Sequence, residues 1–404
     1  MRSFRSRRRT FAAIVLGSSL LAVAAAGCSS APPAAGDASE SAGGPSGVTP
    51  PPASIDPTPP GASSSSAAPP VAAPPATQAS LAGTIATGLD APWGLAFLPD
   101  GSALVTERDS ARVKRISAAT AGGPAAVTVV GTVAGVRPGG EGGLLGIAVP
   151  PGPAPSSVLV YYTADDGNRV DRIAWNGSSL GAQQRVLGGI PRGTIHNGGR
   201  IAFGPDGLVY VATGETGSAT LAQDRDSLAG KVLRITADGK PAPGNPFPGS
   251  PVFTLGHRNV QGLAFDPQGR LFASEFGNRD VDELNLLAAG GNYGWPVVEG
   301  PGGAGRFTDP VAHWSPTAVA SPSGTVILRG SAWVASLRGQ RLWQVRLDGG
   351  RAVGDPVAWF DGQLGRLRDV VAAPDGSLWV LTNNTDGRGS PRAGDDRIVR
   401  IVLS

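Results

Sequence analysis

The sequence predicts an all-β protein, a six-bladed β-propeller of four-stranded antiparallel blades. Three observations lead there. From Leu81 onward, short apolar runs alternate with Gly, Pro, Asp and Asn turns, and no long stretch carries a helical period. A Pro-X-Gly turn recurs at Pro99-Asp100-Gly101, Pro150-Pro151-Gly152, Pro205-Asp206-Gly207, Pro267-Gln268-Gly269, Pro322-Ser323-Gly324 and Pro374-Asp375-Gly376, at spacings of 51, 55, 62, 55 and 52 residues. Each turn lies between two strand-like runs. Repeats of this length made of antiparallel meanders are the signature of propeller blades.

The blades follow in order. The runs before the turns are WGLAFL, LLGIAV, GRIAFG, QGLAFD, AVAS and DVVAA, and those after are SALVTE, SSVLVYY, LVYVAT, RLFASE, TVILRG and SLWVLT. A third, alternating run often comes next: ARVKRI, RVDRIAW, KVLRIT, DELNLL, RLWQVRL and RIVRIV. Alternation means one buried and one exposed face. In a Pro-Asp-Gly turn, Pro presets φ, Asp bonds its local backbone and Gly takes positive φ. A sandwich or linear β-array gives no reason for six like turns at near-constant spacing. The chain ends on the strand pattern Arg397–Leu403 with no later partner, and Leu81–Ala86, ahead of blade one, is placed to pair there and close the ring.

The segment ahead of the propeller differs. Residues 1–28 combine Arg2, Arg5, Arg7, Arg8 and Arg9 with an apolar run to Ala26 and then Gly27-Cys28, the pattern of an export signal. Ala25-Ala26-Gly27-Cys28 resembles a lipoprotein cleavage site, with Cys28 as the acylated residue and the membrane as partner through that lipid. Arg8-Arg9-Thr10-Phe11 resembles a twin-arginine signal. Residues 29–80 are almost all Pro, Ala, Ser, Gly and Thr, a composition suited to a disordered tether and not to a core. The expected product is a cell-envelope lipoprotein outside the cytoplasmic membrane, with a catalytic domain at 81–404. Cys28 is the sole cysteine among 404 residues, which forbids an intramolecular disulfide. The net charge is +3, and no basic stripe with interleaved aromatics appears, which argues against nucleic acid as a partner.

The first strand of a propeller blade lies nearest the axis, so the residues just ahead of the six first strands share one end of the central channel. Nine positions before each turn proline stand Asp90, Glu141, His196, Arg258, His313 and Gly365. With Asn259, Gln261, Arg366 and Arg368 beside them, these form a mostly cationic pocket suited to a small anionic ligand such as a carboxylated cofactor. His196 is the natural general base. A lone histidine is ordinarily only a hydrogen-bonding residue; the shared register sets His196 apart, while His257 reads as structural. Asp282, Glu283 and the Gly277-Asn278 turn offer oxygen ligands of the kind Ca²⁺ takes. Zinc spacing, phosphate loops, dinucleotide fingerprints and serine nucleophile elbows are all absent from the sequence.

Several ordered motifs carry a family resemblance across residues 84–402: GEGGLLGIAV (140–149), HNGGRIAFGPDGLVYVATGE (196–215), GKVLRI (230–235), TLGHRNVQGLAF (254–265), SEFGNRDVDELNLLAAGGNYGWP (274–296) and GRLRDVVAAPDGSLWVLT (365–382). They resemble the soluble quinoprotein glucose dehydrogenases and aldose sugar dehydrogenases. The resemblance implies a six-bladed propeller with pyrroloquinoline quinone (PQQ) and Ca²⁺, oxidising the anomeric carbon of aldoses to lactones and passing electrons to an external acceptor. It implies His196 as base, Arg258 beside the quinone oxygens, and Glu141, Asn259, Gln261, Arg338, Arg366 and Arg368 around the cofactor. It further implies Gly277 and Asn278 carbonyls on one Ca²⁺, and Glu283 with the Tyr293 carbonyl on a second. Four positions depart from the family pattern: Glu141 stands where glutamine is usual, Arg338 where lysine is usual, Ile195 in place of an acidic residue, and Phe276 in place of a polar one. A non-catalytic sugar- or protein-binding propeller, or a quinoprotein acting on a non-aldose alcohol or aldehyde, are the alternative readings.

Overall fold

In a computed structural model, the residues described are 75–118 and 124–404; the export signal, Cys28 and most of the tether lie outside them. Six antiparallel sheets follow one another along the chain. Blade one is built from Pro92–Phe97, Ala103–Glu107, Arg112–Ile116 and Val127–Thr132, and blade two from Leu144–Ala148, Ser157–Ala164, Gly167–Trp175 and Leu180–Ile190. Blade three uses Ile201–Phe203, Val209–Ala212, Lys231–Ile235 and Val252–Leu255, and blade four Val260–Phe265, Leu271–Glu275, Asp282–Leu287 and Ala312–Trp314. Blade five runs Pro322–Leu328, Ser331–Ser336, Leu342–Asp348 and Val357–Trp359, with the short Arg351–Ala352 also on its third strand. Blade six holds Leu367–Ala372, Leu378–Thr382 and Ile398–Leu403, and its outer strand is Ala79–Ala86.

That last pairing closes the ring: Ala79 faces Leu403 and Ala86 faces Ile398. The ordered domain starts before Leu81, since Ala76 is buried and both Thr77 and Gln78 donate their N–H to the Ser404 carbonyl. The apolar core is not central. It is divided among the seams between neighbouring blades, for example Leu145, Tyr161, Ile201 and Val211 between blades two and three, and Leu95, Val105, Trp379 and Leu381 between blades six and one. The axis is left to polar side chains.

The turns behave as their chemistry predicts in blades one, three, four and six. Asp100, Asp206 and Asp375 each accept the N–H two residues on, and Gly101, Gly207, Gly269 and Gly376 take positive φ. Blade five is the exception. Pro322-Ser323-Gly324 is not a turn but lies in the first strand, where Pro322 pairs with Ser336. The true turn is Arg329-Gly330, both at positive φ, the two-residue form that suits a tight hairpin between Leu328 and Ser331. TVILRG therefore holds the end of the first strand and not the second. His313, counted back from the wrong turn, falls in the outer strand of blade four with its side chain exposed. It leaves the candidate set.

One buried cation fixes an approach to the axis. Lys231 is fully buried, and its Nζ donates to the carbonyls of Leu221, Ala222 and Ala229 at 2.7, 3.1 and 2.7 Å. The Ala222 carbonyl also accepts the Gly256 N–H, and the Gly230 carbonyl that of His257, so this knot seats the segment leading into Arg258. Lys231→Met takes a charged donor from all three carbonyls and leaves that of Ala229 with none, and should lower stability by about 3 kcal/mol. An unchanged urea midpoint would show that the knot carries no such load.

Candidate active site

A cavity of about 320 Å³ opens where the first strands begin and the second strands end. Its walls include Trp93, Arg108, Glu141, Gln261, Phe276, Ser321, Arg338, Arg366, Arg368, Asp386 and Arg388, drawn from blades one, two, four, five and six. Five arginines face two carboxylates, and Arg108 is paired with Asp109 behind the wall, so a net positive charge is left over. Asp386 organises them. Its Oδ2 lies 2.9 Å from Arg366 Nη2 and 3.8 Å from Arg368 Nη2, and its carbonyl accepts Arg108 Nη2 at 3.2 Å. Arg368 Nη1 donates to Gln261 Oε1 at 2.7 Å, which fixes the Gln261 amide.

These charges are kept at a cost. Burial pulls Arg368 below its ordinary pKa, and the nearby Arg366 and Arg108 add to this against Asp386. Burial also works against Asp386, but Arg366 and Arg368 hold its carboxyl below the usual value. The Nε atoms of Arg258, Arg366 and Arg368 are buried without a protein acceptor. Trp93 lines the cavity with two guanidiniums against its ring, Arg200 at 4.5 Å and Arg368 at 5.6 Å. Arg200 is itself paired with the buried Asp369 at 2.7 Å.

His196 sits at the entry to blade three with φ of +54°, a left-handed backbone that costs a non-glycine residue on the order of 1 kcal/mol. Three contacts hold it. The N–H donates to Glu141 Oε2 at 2.8 Å, the carbonyl accepts the Thr216 N–H at 3.1 Å, and ring Nδ1 meets Glu215 Oε1 in a very short contact. The packing is tight: a Cβ on Gly214 would stand 2.0 Å from the His196 carbonyl oxygen. A carboxylate at Nδ1 fixes the proton on that nitrogen and leaves Nε2 with a lone pair, which is what a base requires.

The other entry residues fall as follows. Arg258 Nη1 donates to the Gly277 carbonyl, and its N–H is taken by Glu275 Oε1. Burial draws its guanidinium down, against Glu215, Glu299 and Glu275. Asn259 is wholly buried behind the cavity wall, where its Oδ1 accepts the Gly198 N–H at 3.0 Å. Asp90 donates its N–H to Glu107 Oε1 at 2.8 Å. Gly365 has φ of +74°, and a Cβ there would meet Asn384 Oδ1 at 2.2 Å. His257 is fully buried between Thr254 and Glu275 and stacks on Tyr293, a structural placement.

Around the 276–278 turn the side chains are acidic. Gly277 donates its N–H to Asp282 at 2.8 Å, Asn278 donates to Glu299 at 2.7 Å, and Glu275 pairs across the sheet with Glu283. Burial pushes Asp282 up to about 7. Burial and then the neighbouring Glu275 also raise Glu283. Arg258, Glu275, Gly277, Glu283, Tyr293 and Glu299 line a pinched space of about 10 Å³, roughly one water-sized sphere. Among the described residues no three His, Cys, Asp or Glu side chains converge as a ready-made metal centre. A cation there would need main-chain carbonyls as well, a donor set of oxygens that fits Ca²⁺.

Glu215, Arg108, Asp386 and Arg388 are not among the entry positions, and the sequence reading passes over them. Their shared signal is a second register, the residues at or just past the end of the second strand in every blade but the second: Glu107-Arg108, Glu215, Glu275-Phe276, Leu337-Arg338 and Asn383–Arg388. With the Asp386 carboxylate removed, Arg366 and Arg368 are left buried without their counter-ion. Asp386→Ala should therefore cost about 3 kcal/mol, read from the denaturant midpoint; a wild-type midpoint would contradict that role.

Comparisons with known proteins agree with this architecture. Residues 89–399 match the family model described as Glucose / Sorbosone dehydrogenase. The chain is 34% identical over 351 residues to an uncharacterized protein of Synechocystis, covering 75% of this chain and 84% of that one. It is 29% identical over 345 residues to the aldose sugar dehydrogenase YliI of Escherichia coli, covering 75% and 91%. The structure of a PQQ-bound aldose sugar dehydrogenase from Streptomyces coelicolor superposes with a TM-score of 0.78 at 53% identity, over 82% of this chain and 100% of that one.

Proposed function

The chain belongs to the glucose/sorbosone dehydrogenase family, and from that premise we propose that it is a PQQ- and calcium-dependent dehydrogenase that oxidises the anomeric carbon of aldoses. The observation that carries the reading is an arginine-lined cavity whose wall residue Glu141 holds the N–H of a histidine with a carboxylate on its Nδ1. The surplus positive charge suits a polycarboxylate such as PQQ, and the guanidiniums offer paired donors of the geometry carboxylates accept.

In this reading Arg338, Arg366 and Arg368 pair with the cofactor's carboxylates, and Gln261, locked by Arg368, donates its amide to the same ligand. Arg258 brings positive charge to the quinone end, and Asn259 supports the site from behind through Gly198. PQQ, when bound, supplies the acceptor for the hydride that leaves the sugar carbon. The protein's part is to take the hydroxyl proton on His196 Nε2. Glu215 then faces the imidazolium and stabilises it. Glu283 and the carbonyls of Gly277, Asn278 and Tyr293 are the proposed Ca²⁺ ligands, and the bound cation supplies Lewis acidity and rigidity. Arg258 already lies on the Gly277 carbonyl, so the guanidinium must yield that oxygen to the ion. Paired with an export signal and Cys28, the reading is of an enzyme tethered to the envelope that hands electrons to an external acceptor.

The purified protein should bind PQQ at micromolar concentration in the presence of Ca²⁺ and reduce a dye with aldoses. Omission of either PQQ or Ca²⁺ should abolish turnover. His196→Ala should lower kcat by about 10²–10⁴-fold while PQQ binding persists. Failure to bind PQQ contradicts the proposal. Turnover confined to other alcohols transfers it to a different substrate class, and full activity of the variant removes His196 as base.

A further inference from the structure

In blades one, four and six the main-chain N–H at the entry is met by a side chain from the exit of the second strand in the same blade, whereas the Glu141 N–H goes to the Thr194 carbonyl and the Ser321 N–H to Asp282. Glu107 takes that of Asp90, Glu275 that of Arg258, and Asn384 that of Arg366. Blade three has an acid at the same exit but uses it differently. Its exit acid, Glu215, is committed to the His196 ring, so the His196 N–H turns to Glu141 in blade two. Glu141 lies on the wall of a cavity suited to an anion, where an unbalanced carboxylate would repel the ligand.

Its balance comes from Arg388, on the loop after the second strand of blade six. Arg388 Nη1 stands 2.7 Å from Glu141 Oε1, and the Arg388 N–H is accepted by Asp386 Oδ1 at 2.9 Å. The loop that anchors Arg366 and Arg368 through Asp386 thus also reaches across to blade two. We propose that Arg388 is a positioning residue for the reaction: by gripping one oxygen of Glu141 it aims the other at the His196 N–H and so holds the left-handed backbone that presents the imidazole. This rests on the reading of His196 as the base.

The charged and titratable groups facing Glu141 are Arg388, His196, Arg108, Arg258 and Arg368. Burial works to raise the Glu141 carboxyl, but Arg388 and the His196 N–H more than offset it and hold it below its ordinary value. Loss of Arg388 raises the Glu141 pKa, so the acid limb of activity moves to higher pH.

The test is Arg388→Gln in the full chain, with Arg388→Met as a second neutral variant in case one fails to fold. The expected results are a kcat lower by about 10-fold with KM little changed, an acid limb displaced to higher pH, and recovery of most activity in Arg388→Lys. In a Glu141→Gln background, where an amide oxygen accepts the N–H without a counter-ion, Arg388→Gln should add little further loss. Equal losses in both backgrounds, or an unchanged kcat and pH profile, overturn the proposal. A cofactor-free crystal structure of Arg388→Gln decides it independently of turnover: Glu141 displaced from the His196 N–H supports it, and an undisturbed contact overturns it. If the wild-type protein oxidises no aldose, the function proposed above fails while this structural outcome still stands or falls alone.

Discussion

The site depends on one recurring constraint, the capping of each blade's entry N–H near the axis. A propeller brings the starts of its first strands together, and their N–H groups point where no sheet partner follows. Left buried and unpaired, each costs about 1–3 kcal/mol. In blades one, four and six, side chains at the ends of the second strands meet this need, as Glu107, Glu275 and Asn384 do, while the Thr194 carbonyl and Asp282 serve blades two and five. Acids placed for a backbone reason then surround the axis, and the arginines between them hold charge that the acids only partly cancel. The cationic cavity follows from the same geometry that closes the blades.

Blade three converts this structural device into chemistry. Its exit acid leaves the backbone and holds an imidazole instead, which fixes the tautomer and frees Nε2. The displaced duty passes to Glu141, and the charge thereby introduced is matched by Arg388. Ile195, standing where the family pattern has an acid, leaves no gap in the support of His196, because Glu215 approaches the ring from the end of the second strand. Glu141 in place of glutamine is likewise accounted for by a partner far away in sequence.

The blades were legible because a Pro-Asp-Gly turn states its geometry locally. The gathering of Glu141, Gln261, Arg366 and Arg368 was legible because equal steps back from equal turns reach equal positions. Blade five shows the limit of that counting: Pro322-Ser323-Gly324 has the turn's letters inside a strand, and the shift carried His313 into the register and left Ser321 outside it. Asn259 shows another limit, since proximity to a first strand does not tell whether a side chain faces the cavity or the seam behind it. Glu215, Asp386 and Arg388 act through contacts between distant segments, which no local pattern encodes. Trp93, recognised only as part of a strand, turns out to line the cavity between Arg200 and Arg368.

The central claim is that the strand ends assemble a receptor for a carboxylated cofactor. Arg338 tests it most directly, because it lines the cavity yet is exposed, so its replacement leaves the buried network intact. The measurement is the dissociation constant of PQQ for the wild-type protein and for Arg338→Met, by equilibrium titration with calcium present. A charge-assisted hydrogen bond of about 1.5–3 kcal/mol predicts weakening by roughly 10- to 100-fold. Equal affinities for the two proteins would contradict the account.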